Sequence, residues 1–127
     1  MFSLVIVDDE AEIRDGLRNY FPWGDFGIDT VRCFGDGEQA LEYIRKDPAD
    51  ILLTDIRMPV MDGITLIEKV CAIRPEITCI IVSGYRDFEY AQKGMALGVR
   101  EYIVKPTNYQ ELRRVFGRIC QEMRLRR

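Results

Sequence analysis

DILLTDIRMPVMDG, residues 50–63, contains the pattern that decides the fold. A short run of isoleucine and leucine ends at Asp55, and the pair Asp62 and Gly63 follows as a turn signal. Such a run is too short for a buried helix and is typical of a strand buried on both faces. Four more apolar runs begin near Phe2, Ile28, Ile77 and Arg100. We therefore predict five buried strands.

The segments between these runs have the spacing of amphipathic helices. Apolar residues recur three and four positions apart, as at Leu66, Ile67 and Val70, and the connections are too long for hairpins. Capping pairs predict the start of the second helix at Asp36 and Gln39 and the start of the fifth helix at Thr107 and Gln110. Gly98 predicts the end of the fourth helix. The pattern predicts an α/β fold with five βα units and a parallel sheet covered by helices on both faces. Without a visible linker, we expect one domain over residues 1–127.

The composition narrows the possible functions. The chain has 18 Lys and Arg against 21 Asp and Glu, a net charge of −3, so we expect no direct nucleic-acid contact by this domain. Its apolar runs are too short for a bilayer span, and acidic residues interrupt the first run too early for a signal peptide, so we expect a cytoplasmic protein. It has no histidine, which excludes Ser-His and Cys-His catalysis. Its four cysteines form no C-x-x-C pair and are expected to be reduced thiols.

Polar residues follow the predicted strands where ligands collect in a parallel sheet. They are Asp8 and Asp9 after the first strand, Asp55 after the third, Ser83 after the fourth and Lys105 after the fifth. Crowded carboxylates favour a hard cation such as Mg²⁺, and an aspartate can accept a phosphoryl group covalently. The hydroxyl and the ammonium could hold the phosphoryl oxygens, which makes Asp55 the candidate nucleophile. Taken singly, an aspartate here could be a helix cap and Lys105 a solvated lysine.

The strand-end residues lie in the motifs VDDE, LLTDIRMPVMDG, IIVSGY and YIVKP. In order and spacing, these motifs resemble those of receiver domains of bacterial two-component response regulators, typified by CheY. The resemblance covers about residues 2–123. It implies a flavodoxin-like three-layer sandwich with strand order 2-1-3-4-5, and a sensor histidine kinase as partner. It also implies Mg²⁺ bound by Asp8 or Asp9, by Asp55 and by the backbone carbonyl of Arg57. Asp55 would be the phospho-acceptor, with Ser83 and Lys105 contacting the phosphate and Tyr102 as the switch residue.

A narrower resemblance links the segments PWGDFGI and SGYRDFEYAQKGMALGVREYIVKP to YesN-like receivers fused to AraC-type helix-turn-helix domains. It implies transcriptional output through a C-terminal domain beyond residue 127.

Separately, we predict that phosphorylation promotes a homodimer through the fourth helix, fifth strand and fifth helix, because Ser83 and Lys105 would be drawn toward the phosphoryl oxygens and Tyr102 would follow. Gly94 weakens the fourth helix and should make it easier to shift. The first and fifth helices, which some receivers use, are the alternative surface.

Trp23 and Phe26 have a structural interpretation, as a cover for the edge of the first helix. The family resemblance also implies a cis Lys105-Pro106 bond, and a cis bond suits a chain in which Lys105 faces the site and a helix follows at once.

Other functions remain open at this point. A stand-alone CheY-like messenger would lack a DNA-binding output, and a non-signalling interaction module would not be phosphorylated. A Mg²⁺-dependent hydrolase of the haloacid dehalogenase kind also uses an aspartyl phosphate, but places its nucleophile in D-x-D after the first strand. A flavodoxin-like FMN carrier would need a hydroxyl-rich loop where Asp8 and Asp9 stand. We interpret Glu10 as a first-turn helix acid. The family resemblance implies that Arg57 and Tyr85 flank the path of hydrolytic water and tune dephosphorylation, and solvated side chains are an equal alternative for both residues.

Overall fold

The structure, a computed structural model, describes residues 1–84 and 88–126. Strands and helices alternate along the chain, as the apolar runs predict. The strands are β1 (Phe2–Val7), β2 (Ile28–Phe34), β3 (Ile51–Thr54), β4 (Thr78–Ser83) and β5 (Glu101–Val104). The helices are α1 (Ala11–Tyr20), α2 (Gly37–Lys46), α3 (Gly63–Ile73), α4 (Phe88–Ala96) and α5 (Tyr109–Leu125), with a 3₁₀ turn at Trp23–Phe26. None of the helices in the described ranges is long and apolar enough to cross a membrane.

All five strands are parallel and lie in the order β2-β1-β3-β4-β5. This confirms the flavodoxin-like topology. The order reverses between β1 and β3, whose carboxyl ends meet at the pairing of Val7 with Thr54. In open α/β sheets the crevice for ligands forms outside such a switch point.

Two apolar layers cover the sheet. One packs α1, α5 and the aromatic residues of the 3₁₀ turn on alternate residues such as Leu53 and Ile80. The other packs α2 and α3 on the intervening residues, such as Leu52 and Ile81. Every residue of β3 and β4 is buried, as their uninterrupted apolar runs predict.

The structure confirms one predicted capping pair and corrects the other. Asp36 caps α2, and its Oδ1 accepts a hydrogen bond from the Gln39 amide at 2.8 Å. The cap of α5 is Asn108 rather than Thr107, because the Asn108 side chain accepts from the Glu111 amide at 2.7 Å. Asparagine is at least as good a cap as threonine, so the helix begins one residue later than the predicted pair.

The structural interpretation of Trp23 and Phe26 is confirmed. Both side chains are buried, and the Trp23 ring packs edge-on against Phe116 of α5 with ring centroids 4.9 Å apart. The indole N–H of Trp23 donates to the carbonyl of Leu17 at 2.9 Å. The segment PWGDFGI therefore closes the core at the amino-terminal edge of the sheet.

Candidate functional site

The carboxyl edge of the sheet brings together the polar residues predicted from the sequence. The amide of Asp55 donates to the Val7 carbonyl at 2.9 Å, which extends the β1–β3 ladder by one residue. On the other side, the amide of Lys105 donates to the Ser83 carbonyl at 2.8 Å. These bonds place the side chains that follow β1, β3, β4 and β5 around one crevice. The Lys105-Pro106 peptide bond is cis, as expected.

Four carboxylates form an acidic cluster in this crevice. Ligand oxygens of Asp8, Asp9, Glu10 and Asp55 all lie within 4.8 Å of one another. Asp8 and Asp55 are buried, whereas Asp9 and Glu10 are exposed. Glu10 is the residue before α1, but its side chain makes no capping hydrogen bond to the helix. Its carboxylate instead lies with the other three in the cluster. An all-oxygen donor set with an open side fits a hard divalent cation, which retains water ligands.

Lys105 lies among these carboxylates. Its Nζ is 2.7 Å from Oδ2 of Asp55, 3.0 Å from Oδ2 of Asp8 and 3.7 Å from Oε1 of Glu10. The Lys105 side chain is only 18% exposed, so it is not a solvated lysine. Burial lowers the pKa of Lys105, but the hydrogen bonds to Asp55 and Asp8 outweigh burial and raise it overall. The ammonium therefore stays charged and offsets part of the local negative charge.

Both carboxylate oxygens of Asp55 have hydrogen-bond partners. Oδ1 accepts from the amide of Ile56 at 2.7 Å, and Oδ2 accepts from Lys105. Burial raises the pKa of Asp55, Lys105 partly offsets this, and the neighbouring charge of Asp8 adds to the rise. The result is a fixed, desolvated carboxylate that is more basic than a surface aspartate.

Three residues that support the site were not singled out for this role from the sequence. The Arg14 guanidinium donates to the Asp8 carbonyl at 2.6 Å, and the Thr54 hydroxyl donates to the Asp55 carbonyl at 2.9 Å. Gly63 packs on the main chain of Asp55 so closely that a Cβ would overlap the Asp55 carbonyl oxygen. The Asp62-Gly63 turn signal pointed to Gly63, but its contact with Asp55 depends on the tertiary fold.

The remaining predicted residues lie around the crevice. Ser83 is the last residue of β4 and is fully buried. The hydroxyl of Tyr102 on β5 donates to the carbonyl of Gly84 at 3.1 Å, next to Ser83. The guanidinium of Arg57 lies over the ring of Tyr90 on α4, 5.7 Å from its centroid. Tyr85, expected to flank the path of water, lies outside the described residues.

The family model for the response regulator receiver domain matches residues 4–116, which include every residue of this crevice. The chain belongs to the response regulator receiver domain family. The sequence resemblance is thus confirmed by an independent comparison. Receiver domains bind Mg²⁺ at an acidic pocket, and the described residues of this chain include an acidic cluster.

Similar receiver domains occur in transcriptional regulators. The chain is 37% identical over 123 residues to the transcriptional regulatory protein HptR of Staphylococcus aureus strain N315, covering 97% of this chain and 48% of that protein. It is 36% identical over 124 residues to YesN of Bacillus subtilis strain 168, described as an uncharacterized transcriptional regulatory protein, covering 98% of this chain and 34% of YesN. The receiver domain thus spans half or less of the length of these two relatives.

Solved structures give the same relationship. The receiver domain of AraT, a response regulator from Geobacillus stearothermophilus, superposes with a TM-score of 0.91 at 36% identity, covering 98% of this chain and 97% of the other. A two-component transcriptional regulator AraC from Clostridium phytofermentans superposes with a TM-score of 0.86 at 32% identity, covering all of both chains. The narrower resemblance to receivers of AraC-type regulators is therefore confirmed.

Proposed function

We propose that this receiver domain accepts a phosphoryl group on Asp55 from a sensor histidine kinase. The observation that carries the proposal is the state of the Asp55 carboxylate, which is buried, held at both oxygens and paired with Lys105 at 2.7 Å. A carboxylate oxygen of Asp55 attacks phosphorus, a P–O bond forms, and the P–N bond of the donor phosphohistidine breaks with its electron pair going to the imidazole. The chain has no histidine, so the donor imidazole comes from the partner.

The acidic cluster supports a role for Mg²⁺ in this transfer. When bound, Mg²⁺ would neutralise the phosphoryl oxygens and allow an anionic donor to approach the carboxylates. Asp8, Asp9, Asp55 and the backbone carbonyl of Arg57 are the proposed ligands. Their oxygens are the donors that Mg²⁺ prefers, and the carboxylates already lie close together.

Ser83 and Lys105 are the proposed partners of the phosphoryl group once it is on Asp55. Lys105 already contacts Asp55. Ser83 is the last residue of β4, the strand next to β3, and lies at the same edge of the sheet. Tyr102 is the proposed switch residue because its hydroxyl is anchored on the residue that follows Ser83. The product is a changed surface rather than a released compound, so the only reactions that we assign to the domain are its own phosphorylation and dephosphorylation. We place this cycle in the cytoplasm.

Phosphorylation can be tested with acetyl phosphate and intact-mass analysis. We expect one phosphate adduct that requires Mg²⁺, is lost with a chelator and is absent in Asp55→Asn. The matched control is Asp25→Asn, because Asp25 is an exposed aspartate of the 3₁₀ turn beyond the opposite end of the sheet, and this variant should be phosphorylated like the natural chain. An adduct that persists in Asp55→Asn would overturn the assignment.

The proposed output is transcriptional, through a C-terminal helix-turn-helix domain. Two relatives that are regulators of transcription and considerably longer than this chain support it. The coding sequence that follows residue 127 tests the proposal directly. A helix-turn-helix there is the expected result, whereas a stop codon would favour the stand-alone messenger.

A further inference from the structure

Asp8 is held at each of its polar groups. Its amide donates to the carbonyl of Phe34 at 3.2 Å, which continues the pairing of β1 with β2. Its Oδ1 accepts from the amide of Glu10 at 2.9 Å, and its Oδ2 lies 3.0 Å from Nζ of Lys105. Its carbonyl accepts from the guanidinium of Arg14 at 2.6 Å. Asp8, a proposed Mg²⁺ ligand, is therefore fixed at four atoms.

Arg14 reaches Asp8 from outside the acidic cluster. It lies on α1, six residues after Asp8, and is partly buried. The carbonyl that it holds belongs to the peptide bond between Asp8 and Asp9, and because a peptide bond is planar, the contact fixes the plane from which the chain continues into Asp9. Asp9 carries an exposed carboxylate of the cluster. Arg14 thus orients the backbone that presents two of the four carboxylates.

The loop that follows β2 confines the guanidinium of Arg14. Gly35 comes directly after β2, and a Cβ on Gly35 would lie only 3.2 Å from Nη1 and 3.6 Å from Cζ of Arg14. The guanidinium therefore lies where a side chain at position 35 would begin. Close packing of this kind leaves Arg14 less freedom to turn away from the Asp8 carbonyl, so the donor is oriented before any ion binds.

We propose that Arg14 is a positioning residue that sets the Mg²⁺ affinity of the acidic cluster by orienting the peptide between Asp8 and Asp9. This inference rests on the proposed Mg²⁺ site. Arg14 does not hold the ion itself, because a guanidinium offers hydrogen-bond donors and no acceptor. Groups that orient metal ligands without touching the metal commonly change metal affinity about 10–100-fold when they are removed.

The charge of Arg14 alone would have the opposite effect on Mg²⁺. A guanidinium beside an acidic site repels a divalent cation, so by Coulomb's law its removal should strengthen Mg²⁺ binding. Loss of the hydrogen bond to Asp8 frees the peptide between Asp8 and Asp9, and ordering that peptide again on binding weakens the affinity. The positioning role therefore predicts weaker binding where charge alone predicts tighter binding, and the sign of the change separates the two.

Titration of the folded chain with MgCl₂ measures this affinity without any phosphodonor. Backbone amide NMR shifts at constant ionic strength give the dissociation constant. Arg14→Met keeps most of the side-chain length but removes the charge and the donor, and we expect its dissociation constant for Mg²⁺ to rise about tenfold. Arg18→Met is the matched control, because Arg18 is an exposed cation one turn further along α1. This control should bind Mg²⁺ as tightly as the natural chain or slightly more tightly.

A second variant, Arg14→Lys, separates the donor from the charge. Lysine keeps the charge and a flexible cationic donor but lacks the planar fork of arginine. Mg²⁺ should therefore bind Arg14→Lys more weakly than the natural chain and more tightly than Arg14→Met. Charge alone would instead make Arg14→Met the tightest binder of the three.

Thermal unfolding in a chelator shows whether each variant is folded. Mg²⁺ binding by Arg14→Met that equals or exceeds that of the natural chain, even at a lower melting temperature, would overturn the proposal, because Arg14 would then act on stability or charge alone. If Arg14→Met does not fold, unchanged binding by Arg14→Lys would overturn it. Absence of Mg²⁺ binding by the natural chain would overturn the proposed metal site and the role of Arg14 together.

Discussion

Gly63 lies directly against the main chain of Asp55. Its amide donates to the carbonyl of Ile56 at 2.7 Å, and there is no space for a Cβ beside the Asp55 carbonyl. The start of α3 and the proposed phospho-acceptor are thus joined through backbone atoms. A side chain at position 63 must move one of the two.

This contact predicts that Gly63→Ala damages the site. The added methyl group meets backbone rather than a flexible side chain, so we expect a loss of about 1–3 kcal/mol in the free energy of unfolding and slower phosphorylation by acetyl phosphate. Gly16 on α1 is the control, because its Cβ would meet nothing within 4 Å. Gly16→Ala should stabilise the chain by up to about 1 kcal/mol. Urea unfolding and intact-mass time courses measure both effects, and equal behaviour of the two variants would refute the close-contact argument.

Asp55→Asn should change stability in a pH-dependent way. The folded state holds the pKa of Asp55 above its usual value of 3.8, so the folded chain binds this proton more tightly than the unfolded chain. Ionisation of Asp55 therefore costs stability: the cost is absent below the unfolded pKa, grows as the pH rises through the folded pKa and is complete above it.

At pH 7 in a chelator, Asp55→Asn should consequently be more stable than the natural chain, because the asparagine carries no charge that folding must bury. This difference in stability should shrink as the pH falls toward the pKa of the Asp55 carboxyl in the unfolded chain and should vanish below it. Urea unfolding at several pH values measures it. A less stable variant at neutral pH would show that the ion pair with Lys105 outweighs the burial of Asp55.

The fold and the clustering of the candidate site residues were predictable because both depend on local pattern. Buried parallel strands are visible as apolar runs, and each polar residue that ends a run must lie at the carboxyl edge, as Asp55 and Lys105 do. The supporting contacts were not predictable. Arg14 reaches the Asp8 carbonyl through the fold, and no spacing rule marks it. Likewise Gly94, whose helix-weakening effect is visible in the sequence, has a packing role: a Cβ there would lie 2.5 Å from Cδ1 of Ile81.

Capping of α5 gives a prediction at the position where the sequence interpretation was wrong by one residue. Asn108→Ala removes the acceptor for the Glu111 amide and should cost about 1 kcal/mol of stability. Thr107→Ala precedes the cap and should stay within about 0.5 kcal/mol of the natural chain. Thermal unfolding of the two variants decides between them, and a larger loss for Thr107→Ala would restore the first assignment.

Trp23 should act on stability and leave phosphorylation intact. Trp23→Leu removes the packing on Phe116 and the hydrogen bond to Leu17, so we expect a loss of about 2–4 kcal/mol. The residue lies beyond the amino-terminal edge of the sheet, opposite Asp55. The fraction of the Trp23→Leu variant that remains folded should therefore still accept one phosphate from acetyl phosphate at the rate of the natural chain. Selective loss of phosphorylation in folded protein would give Trp23 a functional role instead.

Phosphorylation is predicted to promote self-association through α4, β5 and α5. This face exposes Leu97 and Val104, and the ion pairs of Arg100 with Glu122 and of Arg118 with Glu101 tie its elements together. Movement of Tyr102 would alter this face because its hydroxyl is anchored on Gly84, beside Ser83. Sedimentation with beryllofluoride, which mimics the phosphoryl group, should therefore show a dimer that is absent without it.

Variants on two faces distinguish the surfaces. Val104→Asp places a charge on β5 and should raise the dissociation constant of the beryllofluoride-induced dimer about tenfold. This corresponds to a loss of about 1.4 kcal/mol in the free energy of association. Tyr20→Asp is the matched change on α1, where Tyr20 is 84% exposed, and should leave the dimer intact. Tyr102→Ala should weaken association because it breaks the link between the site and the face. If Tyr20→Asp alone abolishes the dimer, the surface is formed by α1 and α5. An unchanged mass with beryllofluoride would mean that the isolated receiver domain does not signal by association.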